Sequence, residues 1–218
     1  MKAAEAQAQV SDYWTRRAPA FDGAASHVAQ ASLWRDVLAA AFETEDAKDV
    51  VDLGTGTGAC ALIAASLGHR VRACDGSEGM LAAARKAAEA SGLDVTFEQA
   101  LIEEATFAPA SADIVTLRNV LWTLPDPMAA LRKAQLILRP SGLVLVSDGL
   151  WSVAAQYRST YPDGLAASLP RHDGLTEDET RTMLSEAGFG PARSWQHLFP
   201  ASPYPGDVPM FVLTARKG

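Results

Sequence analysis

The chain has 218 residues, 48% of them hydrophobic and 21% charged, and its 19 basic against 26 acidic side chains leave a formal net charge of −7. That length suits one domain with a sizeable core. The acidic balance argues against a nucleic-acid groove, which needs clustered Lys and Arg to displace phosphate counterions, and against a peripheral membrane binder.

In chain order, residues 1–45 read as helical and stand outside the repeat that follows. The opening MKAAEAQAQVSDYW lacks the apolar stretch of a secretory signal. From Asp49 the pattern alternates short β-branched runs with helical stretches. Asp49–Leu53 is a buried strand, Gly58–Leu67 an almost wholly apolar helix, and Arg70–Cys74 a second strand. Ser77 caps a helix running to Ala90, which Ser91 and Gly92 stop. Asp94–Glu98 and Asp113–Leu117 are the third and fourth strands. Asp126 and Pro127 open a helix that Arg139-Pro140-Ser141-Gly142 ends, and Leu143–Ser147 is the fifth strand. Gly149–Gly174 is a polar-aromatic insert without a clear period. Thr176 and Glu179 form a capping box for a helix to Ala187, closed by Gly188. Arg193–Phe199 and Pro209–Ala215 finish as two strands.

Repeated β-α-β units with continuous apolar strands mean a parallel sheet covered on both faces. The last two strands lack a helix between them, so the final one should run antiparallel. The expectation is an α/β, Rossmann-like, doubly wound seven-stranded sheet within a single domain over 1–218. In it, 1–45 would act as a helical lid and 149–174 as a substrate-lid insert. The longest apolar runs, such as Ala59 to Ala65, fall far short of the roughly 20 residues of a spanning helix. Cys60 and Cys74 have neither disulfide-framework nor metal-ligand spacing, so no metal is expected and a reducing, cytoplasmic setting is the simplest reading.

The sharpest feature is Asp52-Leu53-Gly54-Thr55-Gly56-Thr57-Gly58, directly after a strand and opening a helix. Glycines at alternate positions allow positive φ and close approach of a ligand to backbone. The helix start beyond them offers unpaired N–H groups to a carboxylate or phosphate. Asp75, ending the second strand, is placed to accept both hydroxyls of a ribose. Together these imply an adenosine-bearing ligand. A dinucleotide is one candidate, since Gly56, Gly58 and Ala61 can be fitted to its fingerprint. Asp52, however, would repel a pyrophosphate, whereas it could organise loop N–H groups or meet an ammonium. A ligand with both carboxylate and ammonium fits better.

VVDLGTGTG, GHRVRACDGSEGMLAAARKAA, RNVLWTLPDP and LRPSG, in this order, resemble the class I S-adenosylmethionine-dependent methyltransferases, closest to their small-molecule branch, over roughly Tyr13 to Ser147. The resemblance implies S-adenosyl-L-methionine as cofactor and methyl transfer to O, N, S or C of a small metabolite. It assigns Asp52, Gly54, Thr55, Gly56 and Gly58 to the methionyl part and Asp75 with Gly76 to the ribose. Ser77 and Met80 match the segment whose methionine flanks adenine, and Arg118 and Asn119 the backbone that meets the methionyl group. Tyr13 matches a helix that closes over the cofactor. The family usually has an Asp after strand three that bonds the adenine amino group; here the aligned position is Ala100, leaving adenine to backbone near Leu101 and Ile102 or to Glu103.

Methyl transfer from a sulfonium needs alignment and exclusion of water, and a base only where the nucleophile arrives protonated. The aromatic residues Trp14, Trp122, Trp151, Tyr157, Tyr161 and Tyr204 suit a flat or apolar acceptor. His27 and His172 are the candidate bases, since imidazole titrates near ~6.5. His69 and His197 read as structural, and Asp148 as either a substrate-orienting group or a turn cap. A nucleic-acid methyltransferase would carry an Asn/Asp-Pro-Pro-aromatic loop after strand four, where this chain has Arg118-Asn119-Val120-Leu121. The expected partner is therefore a small-molecule acceptor, with neither nucleic acid nor membrane, on a monomer or homodimer. A nicotinamide-dependent oxidoreductase and a non-catalytic cofactor-binding protein are the other readings.

Overall fold

The structure is a computed structural model that describes residues 3–24, 30–153, 161–204 and 206–218. Two helices, α1 (Ala3–Ala24) and α2 (Ala31–Phe42), precede β1 (Asp49–Leu53). There follow α3 (Ala59–Ser66), β2 (Arg70–Asp75), α4 (Glu78–Ser91), β3 (Val95–Gln99), β4 (Ala112–Arg118), α5 (Pro127–Ile137), β5 (Leu138–Gly149), α6 (Glu177–Glu186), β6 (Arg193–Ser194) and β7 (Met210–Arg216). The seven strands form one sheet in the order β3-β2-β1-β4-β5-β7-β6, parallel except for β7, which is antiparallel to both its neighbours. The strand order reverses between β1 and β4, and such a switch point opens a crevice at the carboxyl ends of the strands.

Alternation along the strands splits the core in two. Val51, Leu53, Val115, Leu117, Val144 and Val146 face one layer, with Leu131 and Ile137 of α5 and Leu184 of α6. Val50, Ile114, Leu143 and Leu145 face the other, with Trp34 and Leu38 of α2 and Ala61 and Ala64 of α3. Local signals set the helix ends. Ser77 accepts from Met80 N, Asp126 accepts from Ala129 N ahead of Pro127, and the reciprocal box of Thr176 and Glu179 is formed. Gly92 closes α4 in the left-handed region, at φ 63°.

Two expectations need correcting. The stretch Arg193–Phe199 is not one strand: pairing stops after Ser194, and Gln196–Leu198 is a 3₁₀ turn. Trp195 makes the last bonds to the sheet, its backbone N donating to Val212 O and its indole to Thr214 Oγ1, after which the chain leaves the sheet edge and Phe199 packs on Trp34 with ring centroids 5.0 Å apart. The fifth strand is also longer than the expected Leu143–Ser147. β5 begins at Leu138, paired with Ala112, and the ladder shifts register before Ile114 pairs with Leu143. Ser141 absorbs the irregularity at φ 60°.

The insert bounded by Gly149 and Gly174 is closed at its base. Leu175 N donates to Gly149 O over 3.0 Å and Ser152 N to Asp173 O over 3.0 Å. A Cβ on Gly174 would overlap Gly149 O, so the two backbones cross where only glycine fits. Trp151–Val153 forms a 3₁₀ turn and Asp163–Ala166 a short helical turn. Among the described residues no helix is long and apolar enough to cross a membrane.

Candidate functional site

The loop after β1 is shaped by backbone bonds. Gly54 N and Thr55 N both donate to Cys74 O at 2.9 Å, and Gly58 N donates to Thr55 O. Gly54, Gly56 and Gly58 all lie at positive φ, 71°, 57° and 87°. A Cβ on Gly54 would overlap the Val120 side chain, whereas one on Gly56 would meet nothing within 4 Å. The loop thus packs tightly behind and opens forward.

Asp52 is buried, and both its oxygens accept hydroxyl hydrogens at 2.6 Å, Oδ2 from Thr55 and Oδ1 from Thr116. It braces the loop and ties it to β4 through side-chain hydroxyls. Burial pushes its carboxyl above the ordinary range, opposed by those two bonds and by the Arg118 charge. Asp75 accepts from Gly56 N on Oδ2 and from Ser77 N on Oδ1, each at 2.8 Å, so it links the glycine loop to the start of α4. Burial pushes it up to about 6, and the two backbone N–H bonds pull the other way. Each oxygen keeps a further lone pair for a hydroxyl donor.

Arg118, at the end of β4, is buried at 9% exposure, with its guanidinium 3.9 Å from the Trp34 ring centroid. Among the described residues its Nε and Nη2 have no hydrogen-bond partner. Asn119 follows at φ 55°, its amide bonded to the Tyr204 hydroxyl at 2.8 Å and its backbone O accepting the Trp122 indole at 3.0 Å.

These elements surround one open cleft of about 860 Å³, counted to its solvent mouth. Of the expected cofactor residues, Asp52, Gly54, Thr55, Gly56, Asp75, Gly76, Met80, Leu101, Ile102, Arg118 and Asn119 line it. Gly58, Ser77 and Tyr13 do not. Gly58 is the left-handed N-cap of α3, Ser77 caps α4 and bonds Thr15 Oγ1 at 2.9 Å, and Tyr13 packs on Tyr161 with centroids 4.4 Å apart. The fourth wall is α1, which contributes Gln7, Val10, Ser11, Trp14 and Phe21. Of these only Trp14 was expected at the site, although their helical spacing was there to be read.

The expected acceptor-side aromatics form a chain of rings. Tyr161 lies 5.8 Å from Trp122, Trp14 5.9 Å from Trp122, Trp122 6.2 Å from Trp151, and Trp151 4.9 Å from Tyr204. Only Trp14 of this set lines the cleft. Tyr157 and His27 lie outside the described residues. His172 contacts Leu169 O at 3.2 Å through Nδ1 and is not among the lining residues. His69 accepts from Lys48 N, and burial lowers its pKa. His197 is exposed and stacks on Trp195. Burial pushes the Cys60 thiol up beyond any ordinary titration, which leaves it inert although it lines the cleft. No three His, Cys, Asp or Glu converge as metal ligands among the described residues.

Residues 51–146 match a family model described as "Methyltransferase domain". A ubiquinone biosynthesis O-methyltransferase of Dinoroseobacter shibae is 32% identical over 154 residues, covering 65% of this chain and 60% of that protein. The chain thus spans about 60% of the length of this curated relative. Among solved structures, a SAM-dependent methyltransferase from Methanosarcina mazei superposes with TM-score 0.64 at 20% identity, covering 83% of this chain and 96% of that one. The [4+2]-cyclase SpnF gives TM-score 0.64 at 20% identity, covering 84% of this chain and 79% of that one. The structural likenesses establish the fold, which is shared by more than one chemistry.

Proposed function

We propose that the chain, whose residues 51–146 match the methyltransferase-domain model, is a class I S-adenosylmethionine-dependent methyltransferase and that it methylates a small-molecule acceptor at the cleft above β1, β2 and β4. The observation that carries this reading is Arg118. A buried cation whose Nε and Nη2 lack partners costs free energy unless an anion completes it, and it lines the same cleft as the buried carboxylate of Asp52. A ligand bearing an α-carboxylate beside an ammonium suits that pair, and a pyrophosphate does not.

In this reading Arg118 and Asn119 hold the methionyl end with the Gly54–Gly56 backbone, and Asp52 fixes the loop. Asp75 accepts the ribose hydroxyls. Met80, Leu101 and Ile102 enclose the base. Gly58, Ser77 and Tyr13 act at one remove, by setting the loop, the start of α4 and the seat of α1. When bound, the cofactor supplies an electrophilic methyl group on a sulfonium. Trp14 and Phe21 of α1 shield that end from water, and the Trp14 face stabilises a neighbouring cation. Residues 1–45 and 149–174 cover the acceptor side. The O-methyltransferase name of the Dinoroseobacter relative supports an acceptor hydroxyl on a flat small molecule. His27 and His172 are the imidazoles to test should that hydroxyl need a base.

Calorimetry with S-adenosylmethionine, S-adenosylhomocysteine and NADH tests the reading. The first two should bind and NADH should not. Asp75→Ala should weaken the adenosyl ligands by about 1–3 kcal/mol, the usual loss for a charge-assisted hydrogen bond. Because Asp75 titrates near pH 6 and accepts ribose hydroxyls best when ionised, affinity should rise from pH 5 to pH 7 and lose that slope in Asp75→Asn. NADH binding without S-adenosylmethionine binding would sink the proposal.

A further inference from the structure

We infer that Gln7, on α1, reads the adenine base of the cofactor and takes the place of the acidic residue missing after β3. The inference rests on the cofactor reading above. Past Asp75, the base end of the cleft is walled by Gly76, Met80, Leu101 and Ile102, which offer no side-chain hydrogen-bonding group suited to an amino edge. Ala100, where the resemblance places an acid, donates its backbone N to Asp75 O at 3.1 Å and does not line the cleft, and Glu103 is exposed and outside the lining. A pocket of this kind discriminates through a few placed polar groups, and here they come from α1.

The placement of α1 is built in. A Cβ on Gly76 would lie 2.6 Å from Ser11 Oγ and 2.8 Å from Leu101 Cδ2, and one on Gly79 2.8 Å from Thr15 O. Two glycines therefore let α1 settle against the start of α4, where Thr15 bonds Ser77 at 2.9 Å. Ser11 thereby lies over Gly76 and beside Leu101, and Gln7 comes one helical turn further along the same lining face. The Ser11 hydroxyl donates to Gln7 O at 3.1 Å, whereas the Gln7 side-chain amide has no hydrogen-bond partner among the described residues. A primary amide presents donor and acceptor side by side and pairs with the amino group and adjacent ring nitrogen of adenine in two parallel bonds. On this view α1 determines base specificity as well as covering the site.

The test is calorimetry with S-adenosylhomocysteine and its analogue carrying hydrogen in place of the 6-amino group, on the unmutated chain, Gln7→Leu and Gln7→Glu. The unmutated chain should prefer the amino-bearing ligand by about tenfold, one hydrogen bond's worth. Gln7→Leu should bind both ligands alike, each more weakly than the unmutated chain binds the analogue, because the bond to the ring nitrogen goes with the amide. Gln7→Glu, which can still accept from the amino group, should keep part of the preference. A Gln7→Leu chain that retains the full preference overturns the inference while leaving the cofactor reading intact. Failure of the unmutated chain to bind either ligand overturns both.

Discussion

The indole of Trp151 donates to Asp148 Oδ1 over 2.8 Å inside the protein, at the carboxyl end of β5. The same carboxylate accepts from Gly149 N at 2.9 Å and, through Oδ2, from Trp122 N at 3.4 Å. One fully buried acid therefore fixes the backbone of one tryptophan and the ring of another, and those two rings stand in the middle of the aromatic chain.

Burial pushes Asp148 up to about 7, against the pull of those donors. A carboxyl with a raised folded-state value adds stability below its unfolded value, about 4, and loses it as pH rises through the folded one. Asp148→Asn, which does not titrate, should therefore lose less stability than the unmutated chain between pH 5 and pH 8, by a difference on the order of 2 kcal/mol. Tryptophan emission should titrate near pH 7 in the unmutated chain and be flat in the variant. An identical titration in both would remove Asp148 as its source.

Arg118→Met tests whether the buried guanidinium serves a ligand or the fold. Methionine fills the space on Trp34 but takes away the charge that favours the buried Asp52 carboxylate, so the melting temperature should fall, and fall less as the pH is lowered and Asp52 takes up a proton. S-adenosylhomocysteine affinity should fall about 10- to 100-fold, the range for a hydrogen bond to a charged group. Unchanged affinity with a large fall in stability would make Arg118 a packing residue.

Gly54→Ala puts a methyl group into the Val120 side chain at a residue with φ 71°. The cost should be about 1–3 kcal/mol in urea unfolding, from overpacking and backbone strain together. Gly54→Ala with Val120→Ala should be less destabilised than the two single costs combined, because the second change removes the clash and leaves only the φ strain. Strict additivity would show that the loop moves aside rather than colliding.

Local chemistry made most of the fold readable. Ser77, Asp126 and the Thr176–Glu179 pair act within three residues of themselves, and apolar alternation on β1, β4 and β5 needs no knowledge of partners. The glycine loop and Asp75 were legible for the same reason, with residue types dictated by backbone geometry. What escaped were relationships across distance. Asp52 bonds Thr116, 64 positions away, a partner that a reading for loop N–H groups or a ligand ammonium does not reveal. The α1 wall depends on Gly76 and Gly79 leaving room for it, which only the packed helices reveal. Arg193–Phe199 has strand-like composition throughout, but after Trp195 the chain turns at Gln196–Leu198 and leaves the edge.

The crossing of Gly149 and Gly174 separates two evolutionary problems. A segment whose two ends are already fastened together can be lengthened, shortened or exchanged without moving β5 or α6. Loop closure adds only about 0.6 kcal/mol for each doubling in length. If 149–174 covers the acceptor as proposed, acceptor preference can then drift while the glycine loop, Asp75 and Arg118 keep their positions. Grafting experiments on this protein should accordingly cut at those two glycines.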